Sequence, residues 1–302
     1  MSERPPESGT KDVAKEDSTF LIRHSKASYK PYGAILQGED PEQPMNYENQ
    51  PDQDLNEEGV QLALREAPKF FDTLDPTKDT IFIVSSPERR AIETALIYRD
   101  IAKERGFEVI RPKHARSKLA EEIGGGEIRV LNALSTKLSQ GRGGILVSTV
   151  FSPTTMSPEN NINWDAVEPV TQENYARARQ IIANDDRGSW SANFIAHSEQ
   201  IISELFPGKF RTAQELFDTE FQDLLHLARF GAHKAEESGM KKNVKFLAFG
   251  HDFYICPMLE KYFGDSEINN CESIGIDVQE DGVMLHRRGN NYLIGRATTE
   301  ST

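Results

Sequence analysis

Positive charge is what this sequence is short of. Against 48 aspartates and glutamates it sets 35 lysines and arginines, a formal net charge of −13. That balance excludes a broad attraction to nucleic acid or to an anionic membrane, and neither is expected as a partner. Uninterrupted apolar runs are short as well, and none is long enough to cross a bilayer. The first residues lack the basic, apolar, small-residue order of a secretory signal, so a cytoplasmic location is expected. Cysteine occurs twice, at Cys256 and Cys271. Their spacing suits no metal site, and both are expected to be reduced, semi-buried thiols with no nucleophilic role. Gly141-Arg142-Gly143-Gly144 lacks the Gly-Lys-Ser/Thr ending of a nucleotide loop and reads as a turn. There is no internal repeat and no heptad seam, and the oligomeric state stays open.

Residues 1–18 are polar and almost free of apolar side chains, so a disordered tail is expected there. A strand from about Thr19 to His24 follows. From Gln37 to Glu58 there are eight acidic residues, no lysine or arginine, and prolines at 41, 44 and 51. This is a long acidic loop, either simply solvated or a lid that filters substrates by charge. Asn56 with Glu57 and Glu58 caps a helix to about Thr73. A second strand ends at Ser85-Ser86, and Pro87 suits the first position of the next helix, which runs to about Arg105. Phe107 to Ile110 is a third strand candidate. Ser148 to Pro169 reads as surface, and helical patterns cover about Thr171–Ala183 and Thr212–Glu237. A further strand ends at His251 and leads into a helix to about Phe263. A strand near Ser273–Val278 then meets the hairpin signal Asp281-Gly282 before Val283–His286. Alternating strands and helices argue an α/β domain with a largely parallel sheet.

Three of the apolar runs share an ending. Phe20-Leu21-Ile22 delivers Arg23 and His24, Ile81–Val84 leads through Ser85-Ser86-Pro87 to Arg90, and Phe246–Gly250 delivers His251. Open α/β sheets bind ligands at the carboxyl ends of their strands. Two histidines and two arginines at three such ends form a compact cationic site, and its natural ligand is a phosphoryl group. Phe194-Ile195-Ala196-His197 mimics another strand ending in histidine, but His197 reads as structural. Lys26, Arg89, Lys113, His114 and Arg116 read as solvated charges.

With these pieces in order, the chain resembles the histidine phosphatase superfamily, which includes phosphoglycerate mutase-like enzymes. The matching segments are Leu21–His24, Leu55-Asn56-Glu57-Glu58-Gly59, Ser85–Ala91, Gly250-His251 and Asn270–Ile276. The resemblance implies a three-layer α/β/α sandwich with a mostly parallel central sheet. It implies one domain over 19–302, with an insertion at about 141–211. By position His24 is the nucleophile that becomes phosphorylated. Arg23, Arg90 and His251 surround the phosphoryl oxygens, and His251 also counts among the catalytic residues. The proton donor is Glu121, with Glu122 in reserve and Glu127 close by. No metal or cofactor is implied, and the partner is a phosphorylated small molecule or a phosphoprotein. Three departures stand out. Ser25 replaces the glycine after Arg-His, Ala27 stands where Ser or Thr is common, and Glu121-Glu122-Ile123-Gly124 lacks the Arg and Tyr of the mutase branch. The expected activity is therefore a metal-independent phosphatase. The alternatives are a mutase and a degenerate domain that binds phosphorylated ligands without turnover.

Overall fold

The computed structural model describes residues 18–28, 54–86, 88–110, 145–147, 169–186, 190–207, 212, 221, 241–278 and 282–295. The N-terminal tail, nearly all of the acidic loop, Lys113, His114, Arg116, Glu121, Glu122, Glu127 and Gly141–Gly144 lie outside these residues. So do most of Ser148–Pro169 and of the helical pattern Thr212–Glu237.

The first strand, β1 (Ser18–Arg23), is followed by α1 (Glu57–Phe71), β2 (Asp79–Ser85) and α2 (Arg89–Glu104). After β3 (Glu108–Val109) and β4 (Ile145–Val147) come the helices α3 (Pro169–Ala183) and α4 (Trp190–Leu205). The chain continues through β5 (Asn243–Gly250), α5 (Asp252–Phe263), β6 (Ser273–Val278), β7 (Gly282–Arg287) and β8 (Asn290–Gly295). Asn56 caps α1 as its sequence requires, accepting a hydrogen bond from the Gly59 amide at 2.8 Å. Two boundaries differ from expectation. β1 begins at Ser18, and α2 begins at Arg89 with Glu88 at its N-cap position, so the helix opens two residues beyond Pro87.

All strands share one sheet in the order β3-β2-β5-β1-β6-β7-β8, with β4 also on β2. The expectation of a mostly parallel sheet is corrected. β1, β2, β3, β4 and β5 pair in parallel, whereas β1–β6, β6–β7 and β7–β8 are antiparallel. For the consecutive pairs β6–β7 and β7–β8, connection length is the reason. Parallel neighbours need a crossover of a dozen residues or more, whereas β7 and β8 are joined by Arg288-Gly289 alone. Both residues have positive φ, 48° and 80°, as a hairpin turn that follows the strand twist requires. β8 was not foreseen, because Arg-Gly is a weaker turn signal than Asp-Gly.

The central strands β2 and β5 are buried almost throughout, consistent with their unbroken apolar sequences. On one face α1 and α2 cover the sheet. Ala67, Phe71, Ala95 and Tyr98 of the helices pack with Ile22, Ile81, Ile83, Leu247 and Phe249 of the strands. Each large apolar side chain buried there contributes about 2 kcal/mol. Side chains alternate across a strand, and among the residues between those just named, Phe82 and Phe246 stack with ring centroids 5.4 Å apart. α5 contacts β1 and α4, and α3 packs on α4 through Ile182, Phe194 and Ile201. β4, α3 and α4 thus come from the stretch expected to be an insertion, and β4 joins the main sheet beside Ile83–Ser85. No helix among the described residues is long and apolar enough to cross a membrane.

Candidate active site

The parallel register sets the three motif-bearing strand ends side by side. Arg23 pairs with Gly250 and Ser85 with Phe249, so β5 ends between β1 and β2. Beyond the last ladder pairs, the His24 amide donates to the Gly250 carbonyl at 3.0 Å, and the Ser86 amide donates to the Phe249 carbonyl at 2.9 Å. His24 and His251 are therefore forced together. Their ring centroids are 4.9 Å apart, and each residue is only 1% exposed.

The state of His24 follows from its surroundings. Its Nδ1 lies 2.6 Å from the Ser25 carbonyl oxygen. A carbonyl can only accept, so Nδ1 carries the proton and the lone pair lies on Nε2. Burial, then the Arg90 guanidinium and more weakly that of Arg23, push the His24 pKa down to about 3 against the opposing pull of the Ser25 carbonyl and Asp252. His251 is likewise held well below the usual histidine range by burial, His24, Arg90 and Arg23. Its Nε2 shares a hydrogen bond of 2.7 Å with the Ser86 hydroxyl. Both imidazoles are neutral, and the positive charge of the site belongs to the arginines.

Each arginine is steered by carboxylates. Arg23 Nη2 donates to Asp252 Oδ2 at 2.8 Å and Nη1 donates to the Ile268 carbonyl. Its Nε is buried with no hydrogen-bond partner among the described residues. Arg90 Nη1 lies 3.3 Å from Glu88 Oε2 and 3.5 Å from Asp54 Oδ2. Asp54 is in turn fixed from α2, because Glu93 accepts the Asp54 and Leu55 amides and the Arg89 Nε–H, the last at 2.8 Å. Burial raises the Glu93 pKa, against the pull of the donors that surround it. From behind, Asn270 Nδ2 donates to the His24 carbonyl at 2.8 Å. The Cys271 amide donates to the Arg23 carbonyl at 3.0 Å, from a residue whose φ of 62° is unusual for a non-glycine.

Of the expected residues, His24, Arg23, Arg90 and His251 are thus brought together, and Glu121 lies outside the described residues. Two expectations are corrected. Arg89 is not a solvated charge but is buried and paired with Glu93, because the i, i+4 spacing lies against the Asp54–Leu55 backbone. Phe194–His197 belongs to α4 rather than to a strand, and His197 Nε2 meets Asp185 Oδ2 at 2.8 Å. Lys26 is exposed and paired with Glu58. Cys256 and Cys271 are free thiols, more fully buried than expected, and burial raises both pKa values, that of Cys271 to about 11. Ser86, Asp252, Asp54, Glu93 and Thr94 were not singled out by sequence reasoning. Ser86, Glu93 and Thr94 sit in or just after the Ser-Ser-Pro segment, and Asp252 directly follows His251.

Chemically the arrangement is a cationic cradle around a neutral, nucleophilic histidine. No protein-family model matches the chain, and no curated protein does. Solved structures do. The chain is similar to Bacillus stearothermophilus YhfR, at 12% identity and a TM-score of 0.42, over 91% of this chain and 97% of that one. It is similar to phosphoglycerate mutase from Bacillus anthracis, at 11% identity and a TM-score of 0.40, over 92% of each chain. It is also similar to phosphoserine phosphatase from Entamoeba histolytica in complex with 3-phosphoglyceric acid, at 12% identity and a TM-score of 0.28, over 92% and 98%. These are members of the histidine phosphatase superfamily, the family that the motifs resemble. The likeness is weak, and the chemistry of the site is read from its own residues.

Proposed function

We propose that this protein is a metal-independent phosphatase of the histidine phosphatase type, acting on a phosphomonoester or phosphoprotein. The observation that carries the reading is a buried histidine whose Nδ1 faces the Ser25 carbonyl, leaving the lone pair to Nε2, beside two arginines and a second neutral histidine at adjoining strand ends. Phosphoryl transfer spreads charge over equatorial oxygens, so catalysis depends on positioning and on fixed positive charge. Arg23, Arg90 and His251 hold the phosphoryl group, and His24 Nε2 attacks phosphorus. A P–N bond forms as the ester P–O bond breaks, and the leaving oxygen takes a proton from a carboxylic acid. Water then attacks phosphorus, giving its proton back to that carboxylate, and the P–N bond breaks to release phosphate and His24.

The resemblance assigns the acid to Glu121. Glu122 is in reserve, whereas Asp252 is paired with Arg23 and steers that arginine. An aryl phosphate with a good leaving group needs little protonation, whereas an alkyl phosphate needs it fully. The true acid is the one whose amide variant, Glu121→Gln or Glu122→Gln, slows the alkyl ester far more than the aryl one. The three-layer α/β/α arrangement, the single domain over 19–302 and a cytoplasmic location belong to the same reading. Two free thiols suit a reducing compartment.

The decisive experiment is hydrolysis of an aryl phosphate in excess EDTA by wild type and His24→Ala. Turnover by the wild type alone, with acid-labile phosphate trapped on His24, supports the proposal. Loss of wild-type activity to EDTA overturns the metal-independent reading. Vanadate binding without hydrolysis across a broad substrate panel favours the degenerate binding domain. Interconversion of 2- and 3-phosphoglycerate favours the mutase.

A further inference from the structure

The histidine phosphatase resemblance leaves Ser25 unexplained, since a glycine is usual after Arg-His. In the structure Ser25 is fully buried, and each of its polar groups is engaged. Its carbonyl accepts from His24 Nδ1 at 2.6 Å. The amide of Ser25 donates to Thr94 Oγ1 at 3.0 Å, and its hydroxyl donates to the Gly59 carbonyl at 2.6 Å. Thr94 is also fully buried, and its own hydroxyl proton goes to the Arg90 carbonyl at 2.7 Å. Its oxygen is therefore presented to Ser25 as an acceptor. One residue of α2 and one of α1 thus fix the amide and the side chain of the residue whose carbonyl holds the nucleophile's proton.

We propose that Thr94 is a positioning residue which, through Ser25, locks His24 in the tautomer with the proton on Nδ1 and the lone pair on Nε2. The inference rests on the phosphohistidine reading for its kinetic consequence, but not for the tautomer itself. Without the Thr94 oxygen the Ser25 amide loses its acceptor at a fully buried position, where bulk solvent does not reach to replace it. The His24–Ser25 peptide unit then turns to find one, which swings the backbone of Ser25 and draws the Ser25 carbonyl, in the next peptide unit, away from His24 Nδ1. The imidazole, neutral throughout, is free to move its proton to Nε2, where the lone pair is needed. The serine hydroxyl adds an anchor that glycine could not make, so the departure at position 25 belongs to the same lock.

The test is Thr94→Val, which keeps shape and loses the acceptor, beside Thr94→Ser, which restores it. Long-range proton–nitrogen NMR on the full chain with ¹⁵N-labelled histidine reads the tautomer of His24, its signal identified by its loss in His24→Ala. The expected result is the Nδ1–H tautomer in wild type and Thr94→Ser, with a clear Nε2–H population in Thr94→Val. On an aryl phosphate, kcat of Thr94→Val falls about tenfold with KM within about twofold, and Thr94→Ser regains most of it. An unchanged tautomer in Thr94→Val overturns the proposal. So does a rise in KM at unchanged kcat, which would mean that Thr94 acts through Arg90 and phosphate binding. If the wild type has no turnover, the phosphatase reading falls and the tautomer measurement alone decides the lock. If Thr94→Val does not fold, Ser25→Ala removes the hydroxyl's bonds to the Gly59 carbonyl and the Cys271 thiol while keeping the backbone, and a tautomer shift of the same sign is required.

Discussion

In the proposed reaction His24 can act as nucleophile because its surroundings keep it uncharged. In an unfolded chain it would titrate near 6.5, whereas in the folded protein burial and Arg90 take it to about 3. Between those values the unfolded state binds a proton that the folded state refuses, so stability rises with pH across the window and falls on acidification. Above pH 6.5 this histidine contributes no pH dependence. At pH 5 it costs about 2 kcal/mol of folding free energy relative to pH 7.5. Urea unfolding at the two pH values checks this, with His24→Asn expected to lose about 2 kcal/mol less than wild type on acidification. Equal losses would mean that His24 is protonated in the folded protein. The same depression keeps the nucleophile competent in mild acid, so His24 protonation sets no acid limb of activity near pH 5.

The two helices on one face of the sheet serve the site by what their first turns hold. α2 presents Arg90 to the ligand, while Glu93 one turn later secures the Asp54–Leu55 backbone and Thr94 secures Ser25. α1 approaches the Lys26–Ser28 segment so closely that a Cβ at Gly59 would lie 1.9 Å from the Lys26 carbonyl oxygen. Glycine is required there for contact rather than for backbone conformation. Gly59→Ala is expected to push the start of α1 outward and to cost about 1–3 kcal/mol in urea unfolding. It should also lower kcat, because the Gly59 carbonyl is an acceptor for Ser25. A variant that unfolds like wild type would show that the two segments separate without cost.

At the scale of the whole molecule, one side chain of the antiparallel half of the sheet braces the loop behind the site. Arg287 at the end of β7 is 4% exposed, and it donates to Asp265 Oδ2 at 2.8 Å, Glu272 Oε1 at 3.2 Å and the Glu267 carbonyl. The loop it grips supplies the Ile268 carbonyl to Arg23 and Asn270 to the His24 carbonyl. Arg287→Ala removes a buried guanidinium from Glu272, Asp265 and the Glu267 carbonyl, while Arg288 still pairs with both carboxylates, and is expected to cost about 1–2 kcal/mol. Vanadate affinity, measured on the fraction that remains folded, should weaken as Arg23 loses its support. Lost stability with unchanged vanadate affinity would separate the loop from the site.

Much of this was legible in the residues. Apolar runs of strand length, the Asn56 cap and the Asp-Gly turn are local signals, and local physics decides them. His24, Arg23, Arg90 and His251 stood out because each ends or directly follows such a run. The sequence by itself therefore determined most of the elements and the chemical character of the site, a cluster of cationic and imidazole groups. Only the tertiary structure decided that β5 lies between β1 and β2, which is what brings His24 against His251. It also decided that the sheet is half antiparallel, since a two-residue Arg-Gly connection carries little signal in the sequence. The burial of Arg89 and the roles of Asp54, Glu93, Thr94 and Asp252 were equally hidden. A charged residue looks solvated until the backbone that it must satisfy is packed against it, and that packing is not a local property.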